Sequence, residues 1–186
     1  MATVKHKNKS KSDEPQFGLL MHRVRKEILS YGWSAHFVPA KTSKLFDTAS
    51  QRLIKSSFCY TVGLSNLGLP ELILYGIPEK LAHSIFDNVI ACLLDDEVFS
   101  SLVSSYRLLL PKVFAGALDV VVQLLPEVDV FMNAPLAAVV AKEQGDRHPL
   151  LAQVIWPDQK GKFEWEEGSD QQLLAGQFVL AKRIFH

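Results

Sequence analysis

The order in which strand-like and helix-like segments follow one another is the feature that most constrains this chain. Alternating or β-branched apolar runs predict strands, and apolar residues at helical spacing predict helices. Strands are predicted at Trp33–Pro39, Phe58–Leu64, Leu72–Tyr75, Val113–Leu125 and Leu150–Trp156, and helices at Phe17–Tyr31, Pro78–Leu93 and Asn133–Glu143. The two kinds of element do not alternate regularly, which disfavours a doubly wound parallel sheet. The order favours an α+β fold, with a mostly antiparallel sheet and helices packed on one face.

Two stretches give a less distinct pattern. Residues 41–57 are polar and mixed, and we interpret them as a mobile loop with a turn of helix. The acidic run Asp95-Asp96-Glu97 is predicted to end the helix that starts at Pro78 and to face solvent. Residues 98–110 are ambiguous and are compatible with a second short helix.

Length and charge predict one domain behind a basic leader. The chain has 186 residues, and we expect residues 1–15 to form a disordered basic leader and residues 16–186 a single α+β domain. Four lysines and no acid occur in the first twelve residues, so the remainder of this formally neutral chain carries four net negative charges. An acidic body binds a phosphate backbone poorly, and nucleic acid is therefore not an expected partner.

Location and cysteine usage also limit the possible functions. No apolar run is long enough to cross a bilayer and no secretory signal precedes the domain, so we expect a cytoplasmic protein without a membrane partner. The two cysteines, Cys59 and Cys92, have apolar neighbours. We interpret them as small buried side chains, and a disulfide or redox pair is the alternative.

The common catalytic motifs are absent from the sequence. It contains no glycine-rich dinucleotide motif, no phosphate-binding loop, no nucleophile elbow and no zinc-binding His-Glu-x-x-His. No two histidines have the spacing of a helical metal site. We therefore predict no metal and no cofactor, and we assign no catalytic residue.

Two separated segments carry a family resemblance. The first is Tyr60-Thr61-Val62-Gly63-Leu64 followed by Pro70-Glu71-Leu72, and the second runs from Trp156-Pro157-Asp158 through Gly161 and Phe163 to Trp165. Together with Gly32-Trp33 and Val38-Pro39, in the same order, they resemble the bacterial domain-of-unknown-function family 4262. The resemblance implies no activity. Where the family commonly has His-Pro-Glu, this chain has Leu69-Pro70-Glu71, so chemistry based on an imidazole there is not expected.

The same segments supply the candidate ligand-binding residues, and each has a structural alternative. An acid beside a proline, as at Glu71, either caps backbone amides or acts as a general base. The Asp158 region is either a tight turn clamped by tryptophans or the edge of a ligand cleft. The candidates are Tyr60, Thr61, Glu71, Trp156, Asp158 and Trp165.

Three functions are compatible with these observations. The first is a non-enzymatic binding or interaction protein, such as an immunity, regulatory or accessory factor, with another protein as its partner. The second is an enzyme or small-molecule binder with a cleft between the Tyr60–Glu71 segment and the Trp156–Trp165 turn, where aromatic and carboxylate groups mix as in many ligand sites. The third, a split-barrel-like flavin or nucleotide binder, rests on the strand-rich layout alone. We rank the first slightly ahead of the second.

Overall fold

A computed structural model describes residues 13–43, 46–47, 52–53, 56–126, 130–146 and 149–180. The helices are α1 (Asp13–Tyr31), α2 (Glu79–Leu93), α3 (Asp96–Ser105), α4 (Val130–Asn133), α5 (Pro135–Glu143) and α6 (Gln171–Leu174). The strands are β1 (Ser34–Val38), β2 (Phe46–Asp47), β3 (Arg52–Leu53), β4 (Phe58–Val62), β5 (Glu71–Tyr75), β6 (Arg107–Phe114), β7 (Leu118–Leu124) and β8 (Leu151–Ile155). Most of the predicted leader, residues 1–12, lies outside the described residues.

Six of the strands form one mixed sheet in the order β1-β4-β5-β8-β7-β6. All neighbouring pairs are antiparallel except β5 and β8, which run parallel with Glu71 opposite Leu151. The predicted α+β class with a mostly antiparallel sheet is confirmed. Strands β2 and β3 form a separate two-stranded sheet within the segment that we interpreted as a loop.

Helices cover both faces of the large sheet, which corrects the prediction that they pack on one face. Every residue of β4, β5 and β8 is buried, so these strands need apolar cover on both sides. The first face, with Cys59, Leu72, Leu74, Val122 and Val154, packs against α2 and α3. The second face, with Tyr60, Ile73, Tyr75, Val121 and Ile155, packs against α1 and α5.

The acidic run after α2 begins a helix as well as following one. Asp95 is the N-cap of α3, and its Oδ1 accepts hydrogen bonds from the backbone N–H groups of Glu97 (3.0 Å) and Val98 (3.1 Å). Helix α3 ends at Ser105, and the chain enters β6 at Arg107 through Tyr106, whose φ is 59°. Residues 98–110 therefore contain both a helix and the start of a strand. Among the residues that the structure describes, no helix combines the length and apolar character needed to cross a membrane.

Candidate functional site

Glu71 forms a buried hydrogen-bonded cluster at the start of β5. The side chain is 0% exposed, and its Oε2 accepts a hydrogen bond from the Thr61 hydroxyl at 2.8 Å. Its Oε1 accepts from the backbone N–H groups of Gly63 (2.9 Å) and Ser65 (3.3 Å). The Thr61 hydroxyl also accepts from the N–H of Leu72 at 2.8 Å. The carboxyl group thus holds the 3₁₀ turn after β4 (Leu64–Leu67) against β5.

Burial raises the pKa of Glu71 above its ordinary value of 4.5, and hydrogen bonds from Thr61 and Gly63 act in the opposite direction. A raised carboxyl pKa is also typical of a general base. In this site, however, Oε2 accepts from Thr61 of β4, Oε1 accepts from the turn that follows β4, and the residue is fully buried. The contacts support the capping interpretation of Glu71.

Asp158 forms a second structural cluster, in the loop that follows β8. It is 1% exposed, and its Oδ1 accepts hydrogen bonds from the backbone N–H groups of Lys160 (2.8 Å) and Lys162 (2.9 Å). Its Oδ2 accepts from the N–H of Asp170 at 2.8 Å. These bonds close the turn and connect it to Asp170, the N-cap of α6, so Asp158 acts as a clamp between two loop segments.

Replacing Asp158 with Asn tests this clamp. Hydrogen bonds from Lys162, and then from Asp170 and Lys160, hold the pKa of Asp158 below its ordinary value of 3.8. The stabilisation is therefore present above pH 3.8 and is lost as the pH falls through the lower pKa of the folded state. We expect Asp158→Asn to lower Tm at neutral pH, because the new amide faces the N–H of Asp170, and the deficit should shrink below pH 3.8.

Thermal unfolding at pH 7 and at a series of acidic pH values measures the effect. The exposed Asp87 on α2 provides the matched control, and Asp87→Asn should leave Tm nearly unchanged. If the Tm difference between Asp158→Asn and the native protein stayed constant down to the lowest pH at which the protein folds, Asp158 would not act as a clamp.

Trp156 connects the two family-like segments inside the core. Its indole Nε1–H donates to the backbone carbonyl of Tyr75 at 2.9 Å, and its ring stacks against Phe114 with centroids 6.2 Å apart. Its backbone N–H donates to the Gln177 side chain at 2.7 Å. Trp156 therefore fastens the ends of β5 and β8 together.

The structure brings the two segments together but not their carboxyl groups. Glu71 lies opposite Leu151 at one end of the β5–β8 pair, whereas Asp158 follows the other end. At about 3.3 Å per residue, strand β8 separates these positions by about 13 Å. Tyr60 is buried on the second face, with its ring 5.3 Å from that of His36 and 6.1 Å from that of Phe58. The six candidates therefore do not line one shared cleft.

A surface cavity has none of the six candidates among its lining residues. Its volume is about 490 Å³, and it is lined by Phe131, Ala138, Lys142, Gly145, Asp146 and Pro149.

Among the described residues, no group of three His, Cys, Asp or Glu side chains could hold a metal ion. Burial raises the pKa of the Cys59 thiol to about 12, so this cysteine is a poor nucleophile.

Trp165 is the one candidate that faces solvent. Its ring is 46% exposed and stacks on Phe163, with centroids 5.0 Å apart and an angle of 4° between the planes. The guanidinium carbon of Arg107 lies 4.3 Å from the Trp165 ring centroid. Leu109, which is 53% exposed, shares a sheet face with Arg107 because alternate strand residues point the same way. We call Arg107, Leu109 and Trp165 the Trp165 patch.

Arg107 and Leu109 were missed by the sequence analysis. They carry no motif, and they fall in the stretch 98–110 that was interpreted as ambiguous. The sequence feature that could have indicated an exposed edge strand here was Pro111. Proline within a sheet is confined to edge strands and bulges, so Pro111 marks β6 as an edge strand.

A family model described as "Domain of unknown function (DUF4262)" matches residues 27–170. The chain belongs to this family. No curated protein and no solved structure matches it. The matched part of this DUF4262 protein includes both buried carboxylates and the whole Trp165 patch. Leu69, which precedes Pro70 and Glu71, is buried in the core of the first face.

Proposed function

We propose that this DUF4262 protein is a non-enzymatic binding protein that contacts another protein through the Trp165 patch. The observation that carries the proposal is the fixed orientation of the half-exposed Trp165 ring. The centroid of the Trp165 ring lies 5.0 Å from that of the Phe163 ring and 4.3 Å from the guanidinium carbon of Arg107. Arg107 belongs to β6, whereas Phe163 lies in the loop after β8, so two separate parts of the fold hold the ring. A side chain held in this way loses little conformational freedom when a partner binds.

The chemistry of the patch supports a protein partner. Tryptophan and arginine are enriched among the residues that contribute most to protein–protein binding, and such residues cluster in a small part of an interface. Leu109 adds an exposed apolar side chain on the Arg107 side of the patch. The combination offers apolar area, a planar cation and a half-exposed aromatic ring within one small surface.

The buried carboxylates support a binding function over catalysis. Glu71 was the candidate general base and Asp158 a candidate for the edge of a ligand cleft, and both are buried. Each accepts hydrogen bonds from groups of the fold itself, from Thr61, Gly63 and Ser65 at Glu71 and from Lys160, Lys162 and Asp170 at Asp158. An enzyme that uses either group would have to open the turn that the group closes, whereas a partner reaches Trp165 without any rearrangement.

Photo-crosslinking in cells that naturally make the protein tests the proposal. A benzophenone side chain replaces the exposed Glu167, two residues from Trp165. We expect one dominant adduct with a different protein, and Trp165→Ala should reduce its yield by at least about tenfold, as for a residue central to an interface. Mass spectrometry of the adduct identifies the partner.

The control places the same crosslinker at Tyr31, which is 77% exposed at the end of α1. Helix α1 packs beside β1, at the sheet edge opposite β6. No adduct at position 167 beyond those formed at position 31, or full adduct yield from Trp165→Ala, would contradict the proposal.

A further inference from the structure

Strand β6 presents one row of backbone groups away from the sheet. Among the described strands it is the last of the large sheet, and β7 is its neighbour. The carbonyl of Tyr106 accepts a hydrogen bond from the N–H of Leu124 in β7 at 2.8 Å. Because backbone groups alternate in direction along an antiparallel strand, those of Arg107, Leu109 and Pro111 point to the open edge.

The residues of this edge differ in the backbone N–H and C=O groups that they can offer to another strand. Leu109 offers both its N–H and its C=O, whereas Pro111 has no N–H to donate. The Ser105 hydroxyl lies 2.7 Å from the carbonyl of Arg107 and 2.7 Å from that of Ser101, and it can donate its single hydrogen to either. The edge therefore has one residue without a donor, Pro111, and one residue whose acceptor has a donor within the same chain, Arg107, each two positions from Leu109.

We propose that a second copy of this chain pairs with β6 in antiparallel register, about a two-fold axis that passes beside Leu109. In this register Leu109 exchanges both hydrogen bonds with the partner's Leu109, and the N–H of Arg107 donates to the carbonyl of the partner's Pro111. The missing N–H of the partner's Pro111 faces the Arg107 carbonyl, to which the Ser105 hydroxyl of the same chain can donate. No buried donor or acceptor on the open edge is left without a partner.

Side chains fit the same register. Leu108 lies opposite the partner's Leu110, and Leu109 lies beside the partner's Leu109, so the closest pairs are apolar. Arg107 lies opposite the partner's Pro111, and no two like charges face each other directly. Cross-strand pairs of this kind stabilise a sheet, whereas directly opposed like charges destabilise it.

The pairing ends where the strand becomes irregular. The β6–β7 register shifts between Leu110 and Phe114, and Lys112 has a φ of 56°. The N–H of Lys112 donates to Asp119 Oδ1 at 3.0 Å. A bulge with lysine and proline blocks further edge pairing. The interface is therefore short and closed, as a two-fold dimer requires, and does not propagate into a fibre.

This dimer and the binding site proposed above share Arg107 and Leu109 but use different groups of the chain. Pairing uses the backbone edge of β6, while Trp165 contacts the guanidinium group of the Arg107 side chain. The two claims therefore fail separately. A monomer that still forms the photo-adduct refutes only the dimer, and a dimer without a second protein refutes only the proposed function.

Sedimentation of the full chain over a concentration series up to the hundred-micromolar range tests the dimer, and we expect a reversible dimer. Leu109→Pro removes the central N–H on both sides of the axis but no bond to β7. We expect it to weaken dimerisation by about 10- to 100-fold. Leu109→Val keeps the N–H in a β-branched side chain and serves as the matched control, with less than about a threefold effect.

A second measurement does not depend on the folding of the proline variant. In a Cys92→Ser background, Leu109→Cys should form an intermolecular disulfide on oxidation, because opposed Cα atoms in such a pair lie about 5.5 Å apart. Tyr31→Cys, at the other sheet edge, should not. A monomer at every concentration, equal effects of the proline and valine variants, or no disulfide at position 109 would overturn the dimer.

Discussion

Replacing Gly76 with alanine is expected to destabilise the domain by about 3–4 kcal/mol. Gly76 has a φ of +75°, which an L-residue adopts only at a cost. An added Cβ would also lie 2.6 Å from the backbone oxygen of Gly176 and 2.7 Å from its carbonyl carbon. Both obstacles are backbone, so they cannot rotate away as a side chain would.

The close approach has a structural purpose. Gly76 follows β5, and its N–H donates to the carbonyl of Ser57 at 2.8 Å. The chain at Gly176 crosses this point, and the next residue, Gln177, hydrogen bonds through its side chain to the backbone of Trp156. A shift of Gly176 would therefore disturb the hydrogen bonds that hold the end of β8.

Gly68→Ala is the matched control for this prediction. Gly68 has a φ of +73°, almost the same as Gly76, and an added Cβ would meet no atom within 4 Å. Gly68→Ala should lower the free energy of unfolding only by the cost of the backbone conformation, about 1 kcal/mol. Urea unfolding with unchanged m-values measures both variants. Equal losses at the two glycines would show that the approach of Gly176 does not matter.

Glu71→Ala is expected to destabilise the domain by about 3–5 kcal/mol. The change removes the acceptor for the Thr61 hydroxyl and for the N–H groups of Gly63 and Ser65. The donors of Thr61 and Gly63 lie in the buried interior, where an unpaired polar group is costly. Glu71→Gln retains an oxygen acceptor and the side-chain volume, so urea unfolding should give it less than half of the alanine loss. Equal losses for the two variants would contradict the capping role.

The Glu71→Gln variant also predicts a pH dependence. The pKa of Glu71 is raised in the folded state, so the folded domain binds the proton more tightly than the unfolded chain. The resulting stabilisation is fully present below the ordinary pKa of 4.5 and is lost as the pH rises through the folded-state value. The free energy of unfolding of the native protein, relative to that of Glu71→Gln, should therefore decrease as the pH rises from 4.5. A relative stability that increases with pH would contradict the raised pKa.

Local patterns predicted the elements that occupy the middle of the sheet. Strands β4 and β5 and their antiparallel pairing followed from two apolar runs joined by a turn-rich segment, because such runs have few other ways to be buried. The second layer of helices was not evident. Helix α1 and helix α5 have ordinary amphipathic patterns, and only the complete burial of β4, β5 and β8 reveals that both sheet faces need cover.

The boundary between α3 and β6 was hidden for a specific reason. Tyr106 adopts a φ of 59°, which is uncommon for a residue with a side chain, so no glycine or proline marks the end of the helix. The cap at Asp95 did carry a usable signal, since aspartate is a preferred N-cap residue. Its position after an apolar stripe made it resemble the end of α2.

The candidate site was predictable in its residues but not in their roles. The family resemblance directed attention to Glu71, Asp158 and Trp165, yet only coordinates distinguish a carboxylate that holds a turn from one that faces a ligand. The contact between Arg107 and Trp165 joins residues far apart in sequence. No periodicity or spacing in a single sequence predicts such a contact.

The carboxylate of Glu71 stabilises the fold, whereas we propose that the Trp165 patch binds the partner. The yield of the position-167 photo-adduct separates these two roles, at a temperature at which Glu71→Gln and Trp165→Ala are both folded. We expect full yield from Glu71→Gln, despite its lower stability, and at least about a tenfold loss from Trp165→Ala. Loss of the adduct from a folded Glu71→Gln protein, or full yield from Trp165→Ala, would contradict this division of roles.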